Sequence, residues 1–152
     1  MIRVCVQAED FDTGAEVSRL ASGEGGVGAV VSFVGVVRGE SGGEKLLALQ
    51  LEHYPGMTER ELSRIADEAT ARWHLSAVTI IHRVGELRPQ DQIVLVVTAS
   101  AHRQAAFDGC AFVMDYLKTQ APFWKKETRA SGEYWIEARS SDDEAAARWD
   151  AV

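Results

Sequence analysis

Cysteine is scarce in this chain, since Cys5 and Cys110 are its only two copies among 152 residues. They form no CxxC pair and no regular framework, so the sequence predicts neither a disulfide scaffold nor a zinc knuckle. Both lie in apolar patterns, one in a strand and one on a helix stripe, and we expect them to be inert small hydrophobic residues. This usage fits a reducing cytoplasm.

Positive charge is also in short supply. The chain has 16 Lys and Arg against 23 Asp and Glu, a net charge of -7. Because phosphate backbones are held by many basic residues acting together, this balance argues against a nucleic-acid binder, and any basic site must be local. No apolar run approaches the roughly 18 residues of a membrane span. The segment from Met1 to Asp10 lacks the apolar core of a signal peptide, so we expect no membrane partner.

Two further absences narrow the function. His53, His74 and His82 lack metal-ligand spacing, and we interpret them as structural groups; no metal site is predicted. The run GEGGVG at 23–28 has the letters of a dinucleotide-binding fingerprint. It follows a predicted helix and precedes a predicted strand, which is the reverse of the required order, so we do not expect it to bind phosphate.

What the chain does have is the composition of one globular domain, with 46% apolar and 26% charged residues. Apolar periodicity predicts a single α+β domain over residues 1–152, with a mixed or antiparallel sheet and two main helices. The β-branched run from Gly28 to Val37 predicts a strand buried on both faces. From about residue 140 we expect a weakly ordered tail or a short polar helix. The other predicted strands are 2–7, 46–54, 77–84, 92–98, 123–130 and 133–137, and the predicted helices are 13–20, 58–73 and 101–120.

The start of the last long helix carries the first candidate site. Ser100 is the expected N-cap, and His102 and Arg103 follow in the first turn, where acidic residues would complement the helix dipole. A bound phosphate would reverse that mismatch, because free backbone N–H groups and the two side chains would all favour an anion. The alternative is a solvated arginine beside a capping histidine, which costs little at an exposed position.

The other end of that helix carries Lys118, and Lys125 and Lys126 follow the break at Pro122. Strand alternation places Lys125 and Lys126 on opposite faces, so at most one of them is expected to face Lys118. Two lysines that converge in a pocket repel each other, and one of them then becomes available as a base or nucleophile. The alternative for Lys118 is simple complementarity with the helix dipole.

The length of the helix separates these two candidate sites. His102 and Lys118 are sixteen residues apart, or about 24 Å along a straight helix. One small ligand does not span that distance. Either the two ends serve separate purposes, or the basic start of one helix meets the lysine end of another across a symmetric dimer, which is the hypothesis we prefer.

Three long runs resemble the MoaE family, the large subunits of molybdopterin synthase. They are VVSFVGVVR (30–38), LEHYPGM (51–57) and SAHRQAAFDGCAFVMDYLKTQAPFWKKE (100–127), and the similarity extends over about residues 3–138. The resemblance implies a MoaE-like fold of the α/β-hammerhead type. It also implies a homodimer that takes up two small ubiquitin-like carriers ending in Gly-Gly, giving a heterotetramer. Sulfur passes from the carrier's thiocarboxylate to cyclic pyranopterin monophosphate, forming molybdopterin, with no permanently bound cofactor.

By the same resemblance, Lys118 and Lys125 are the catalytic pair, and Arg38 lines the pocket. His102 and Arg103 match residues associated with the pterin phosphate and contributed by the neighbouring chain. The channel for the carrier's tail is expected to be lined by Arg38, Met114 and Lys118.

Some alternatives stay open at this point. Glu127 shares the strand face of Lys125, so it either orients that lysine or forms a surface ion pair of little consequence. The chain as a whole is a sulfurtransferase subunit, a phosphate-binding regulatory domain, or a non-catalytic assembly partner. Only the first of these requires both a Gly-Gly-tailed partner and the pterin phosphate.

Overall fold

The computed structural model describes residues 1–23, 25–137 and 140–151 and confirms a mixed α+β fold. Its strands are β1 (Ile2–Gln7), β2 (Ala29–Val36), β3 (Glu40–Ser41), β4 (Glu44–His53), β5 (Ala77–Arg83), β6 (Gly85–Leu87), β7 (Gln92–Ser100), β8 (Phe123–Arg129) and β9 (Gly132–Ile136). Its helices are α1 (Thr13–Ala21), α2 (Met57–Trp73), α3 (Arg103–Gln120) and α4 (Ser140–Ala147), followed by a 3-10 turn at Arg148–Ala151.

The first sheet has the strand order β1-β5-β7-β2. Its β1 and β5 are parallel and its other pairs antiparallel. Because strand residues alternate between faces, Ile80 and Val96 pack under α2 and α3, whereas Ile81 and Leu95 pack with Leu20 of α1 on the opposite face. The sheet is therefore covered by helices on both sides, and α3 is held against it along its length.

The second sheet is built on β4, which pairs with β3, β6 and β8, while β9 extends β8. Leucines of β4 and β6 form a separate small core with Val37. The sequence did not predict β3 or β6. Strands of two and three residues are too short to show an alternating pattern, so only their pairing partners define them.

The prediction that β2 is buried on both faces is wrong. Within the described part of the chain β2 pairs only with β7, so it is an edge strand. Phe33 and Val36 are 40% and 49% exposed. A continuous apolar run is typical of a central strand, but it also occurs on an edge that a further surface covers.

The C-terminal segment contributes to the core, which a solvated tail would not do. The Trp149 ring lies edge-on to Trp73, with centroids 5.2 Å apart, and 5.8 Å from the ring of Phe112. Its indole N–H donates a hydrogen bond to Asp115 at 2.7 Å. The expected short helix is present as α4, but no local pattern predicts that the turn after it packs against α2 and α3.

A close backbone approach fixes the start of α3. The N–H of Gly28 donates to the carbonyl oxygen of Ser100 at 2.9 Å. A Cβ on Gly28 would lie 2.2 Å from the carbonyl oxygen of Ala101. Only glycine fits beside this turn, so the residue before β2 and the residues between β7 and α3 meet without any intervening side chain.

Candidate active site

A cavity of about 750 Å³ opens where the two sheets meet at the C-terminal end of α3. Its apolar wall comes from β2, β4 and β7, and its polar wall from the β2–β4 connection, α3 and β8. The polar side chains that line the cavity, which also come from β5, α4 and the residue after β9, are Arg38, Glu40, Ser41, His82, Lys118, Lys125, Glu127, Glu137 and Asp142. A large opening that combines an apolar wall with converging polar side chains has the character of a ligand site.

The structure brings Lys118 and Lys125 to this one cavity. Lys118 lies in the last turn of α3, and Lys125 is the third residue of β8. Lys126 does not line the cavity; its Nζ lies 3.5 Å from Glu133 and 5.6 Å from the centre of the Trp135 ring. The prediction that only one of the two adjacent lysines shares a face with Lys118 is therefore confirmed. Two cations on one wall favour an anionic ligand.

His82 also lines the cavity, and the sequence interpretation missed it. Its ring stacks on Phe123, with centroids 3.8 Å apart and planes 19° apart. Burial, and then the electrostatic influence of Lys118, Lys125 and His53, lower its pKa to about 3, although its bond to the Arg83 carbonyl opposes the shift. The imidazole is therefore neutral at physiological pH. No spacing rule reveals it, because β8 and α3 reach it from distant parts of the chain.

Glu127 is the centre of a small polar cluster. The Ser41 hydroxyl donates to it at 2.6 Å, and Arg129 donates to the same carboxylate oxygen at 2.7 Å. Burial raises its pKa, but these two bonds and the charge of Lys125 together lower it below its ordinary value. With 12% of its side chain exposed, Glu127 forms no mere surface ion pair. It ties the β3–β4 hairpin to β8, and its electrostatic link to Lys125 agrees with the orienting role.

Of the other two residues predicted to line the channel, Arg38 lies at the cavity and Met114 does not. Arg38 is exposed and contributes to the rim of the cavity. Met114 is 9% exposed and belongs to the core between α3 and α2. It is not among the described residues that line the cavity, so its expected place in the channel is not supported. Met114 lies one turn before Lys118, but the helix directs it into the first sheet's core.

His102 and Arg103 lie at the opposite end of α3 and are exposed. The first turn of the helix contains no acidic residue. His102, rather than Ser100, is the N-cap, because Ser100 still belongs to β7 and is 3% exposed. One copy of the chain therefore does not bring this basic pair to the lysine cavity, as the helix length predicts.

Both cysteines lie in apolar surroundings. Burial raises the pKa of Cys110 to about 11, and Cys5 packs on the α1 side of the first sheet. Among the described residues, no group of three or more His, Cys, Asp and Glu side chains is arranged to hold a metal ion. Nor does that part of the chain contain a helix with the length and apolar character needed to cross a bilayer.

The family model described as "MoaE protein" matches residues 6–120. The chain belongs to the MoaE family. A family member named molybdopterin synthase catalytic subunit, from Mesorhizobium japonicum, is 57% identical over 148 residues, covering 96% of this chain and 92% of that protein. The family resemblance of the three long sequence runs is thereby confirmed.

Solved structures agree with the family and its fold. The MoaE protein from Burkholderia ambifaria superposes with a TM-score of 0.85 at 53% identity, covering 99% of each chain. A Helicobacter pylori structure, titled as a complex of subunits 1 and 2 of molybdopterin-converting factor, reaches a TM-score of 0.72 at 19% identity, covering 91% of this chain and 92% of that one. At 19% identity this similarity shows a shared fold and nothing more.

Proposed function

We propose that this chain is the catalytic subunit of a molybdopterin synthase. It transfers sulfur from the C-terminal thiocarboxylate of a small ubiquitin-like carrier ending in Gly-Gly to cyclic pyranopterin monophosphate. The observation that carries the proposal is the pair Lys118 and Lys125 on one cavity wall of an acidic chain. Membership of the MoaE family and the name of the Mesorhizobium relative support it.

The cavity suits the chemistry of this transfer. Both the thiocarboxylate and the pterin phosphate are anions, and attack by the sulfur builds negative charge on the pterin side chain. Lys118 and Lys125 stabilise that charge, and fixed charges of this kind are usually the largest contribution to catalysis. Leu46, Leu49 and Leu51 of β4, the strand that pairs with β8, are each almost fully buried and keep the local dielectric low, which strengthens the attraction. Two successive transfers, each with a fresh carrier, install the two sulfurs of molybdopterin.

The phosphate end of the substrate calls for a second copy of the chain. His102 and Arg103 lie about 24 Å from Lys118 along α3, so in the proposed homodimer they reach the cavity of the partner. The exposed ring of Phe107, one turn after Arg103 and 56% exposed, gives that end of the helix an apolar contact surface for another copy. With one carrier at each cavity, the assembly is a heterotetramer. It needs no permanently bound cofactor, and we place it in the cytoplasm.

Reconstitution with thiocarboxylated carrier and the pterin precursor tests the catalytic pair. We expect Lys118→Ala and Lys125→Ala each to lower kcat by about a hundredfold or more. The oligomeric state of both variants, measured by light scattering, should match that of the parent. Lys126→Ala is the matched control, because Lys126 lies on the other face of β8, and it should retain parental turnover. Full turnover by Lys118→Ala would overturn the assignment. Complex formation without product in the parent chain would instead indicate an assembly partner.

Mixing two inactive variants tests the shared site. In a dimer of one Lys118→Ala chain and one Arg103→Ala chain, one cavity keeps both its own Lys118 and the partner's Arg103, whereas the other cavity loses both. Equal mixing makes half of the dimers mixed, so we expect about a quarter of the parental activity to return. If the mixture stays as inactive as the separate variants, Arg103 acts within its own chain.

A further inference from the structure

The hydrogen bond at Nδ1 of His82 determines what the rest of the ring can do. Nδ1 lies 2.8 Å from the carbonyl oxygen of Arg83. A carbonyl oxygen only accepts, so Nδ1 carries the proton of the neutral ring. Nε2 is then an unprotonated acceptor on a side chain that lines the cavity.

The surroundings of His82 keep the ring in this form. Lys118 on α3, Lys125 on β8 and His53 on β4 all oppose its protonation, and burial opposes it most. The stacking on Phe123 fixes the plane of the ring, so the direction of the Nε2 lone pair is fixed as well. His82 therefore presents a rigid, uncharged acceptor in a place where protonation is strongly disfavoured.

The other polar side chains on the wall do not duplicate this property. Lysine and arginine side chains only donate hydrogen bonds, and Glu40, Glu137 and Asp142 accept them through carboxyl groups rather than through a ring nitrogen. The Ser41 hydroxyl and the Glu127 carboxylate are joined to each other and to Arg129. A ligand held by its anionic groups at the lysines still has uncharged N–H and O–H groups to satisfy, and each one left unpaired in a buried site weakens binding.

We propose that His82 is a substrate-binding residue whose Nε2 accepts a hydrogen bond from an uncharged N–H or O–H group of the pterin. This inference rests on the proposed function, because it takes the reduced heterocycle as the ligand. His82 recognises the uncharged part of the substrate, whereas the lysines act on its charge and on the sulfur. Its loss should therefore act on binding and leave the chemical step intact.

Three substitutions of His82 distinguish the contribution of the Nε2 acceptor from that of the stacked ring. His82→Gln places an amide oxygen near the position of Nε2, whereas the shorter His82→Asn places it near Nδ1. His82→Phe keeps the stacking on Phe123 and removes the acceptor. His74→Gln is the matched control, since His74 is exposed at the C-terminus of α2.

Binding of cyclic pyranopterin monophosphate to the full chain is measured by calorimetry without carrier, and KM and kcat are measured in the reconstituted synthase. We expect His82→Asn and His82→Phe to weaken binding and raise KM by about tenfold, with kcat within about twofold of the parent. His82→Gln should stay within about threefold of the parent. Thermal unfolding checks each variant, and if His82→Phe does not fold, the Gln and Asn pair still decides the matter.

Parental binding by a folded His82→Phe, or by His82→Asn, would overturn the inference, and so would equal losses in the Gln and Phe variants. A loss of kcat without a change in KM would also overturn it. These results leave the proposed function standing as long as the parent chain transfers sulfur. If the parent binds the pterin but transfers no sulfur, the proposed function fails while His82 keeps its binding role; if it binds no pterin, both fail.

Discussion

The hydroxyl of Thr58, in the first turn of α2, donates a hydrogen bond to the carbonyl oxygen of Pro122 at 3.0 Å. The Thr58 hydroxyl oxygen also accepts a hydrogen bond from the backbone N–H of Tyr54 at 3.0 Å, and the Thr58 side chain is fully buried. Pro122 lies in the turn between Lys118 and Lys125. One side chain of α2 therefore fixes the turn that sets how the two lysines face each other.

Replacing Thr58 by valine should show this coupling. Valine keeps the volume but removes both hydrogen bonds, which leaves two partly buried backbone groups without these partners, so we expect stability to fall by about 1 to 3 kcal/mol. Urea unfolding measures the loss. Thr58→Ser keeps the hydroxyl and should cost less. If the valine variant turns over as fast as the serine variant, the turn does not depend on this bond for its position.

The buried imidazole of His82 predicts a specific dependence of stability on pH. Its pKa is about 3 in the folded chain and about 6.5 when unfolded. Between these values the unfolded state binds the extra proton, so stability is complete above about pH 6.5 and is lost as pH falls towards 3. From pH 7 to pH 5 this histidine should account for about 2 kcal/mol of destabilisation.

Urea unfolding of the parent and of His82→Gln at pH 7 and pH 5 measures how much of the pH-dependent loss of stability comes from His82. The variant should lose about 2 kcal/mol less than the parent over that interval, while the His74→Gln control follows the parent. Identical losses in the parent and in His82→Gln would mean that the ring is protonated in the folded chain at pH 5.

The cysteines give a prediction about the source of sulfur. Burial raises the pKa of Cys110 to about 11, so its reactive thiolate is rare at neutral pH. Treating the native chain with a thiol-blocking reagent should leave transfer from a supplied carrier unchanged. The double variant Cys5→Ser with Cys110→Ala gives the same test without a reagent. Loss of transfer in both experiments would make one cysteine a sulfur carrier.

Local pattern was enough to predict much of the fold. The stripe of Leu62, Ile65, Ala66 and Ala69 on α2 is buried as its spacing predicts. That Lys118 and Lys125 line one cavity could also be predicted locally. The end of α3, the break at Pro122 and the alternation of β8 all lie within the seven residues that separate the two lysines. These features depend on neighbours in sequence.

The features that sequence missed depend on distant partners. His82 reaches the lysines only because β8 and the end of α3 come to lie against β5, and nothing in its own segment signals this. The edge position of β2 is likewise decided by which strands pair. Trp149 follows a polar helix, so its burial against Trp73 reflects the shape of the α2–α3 surface rather than any local pattern.

The contact between Gly28 and Ala101 affects the position of the start of α3 but not that of its C-terminal end. A methyl group added at Gly28 has no free space beside the Ala101 carbonyl, so the strand and the helix start must move apart. Such a shift displaces His102 and Arg103 while the lysine end stays anchored by α2 and β8. A substitution at that single glycine should therefore change the position of His102 and Arg103 more than that of Lys118 and Lys125.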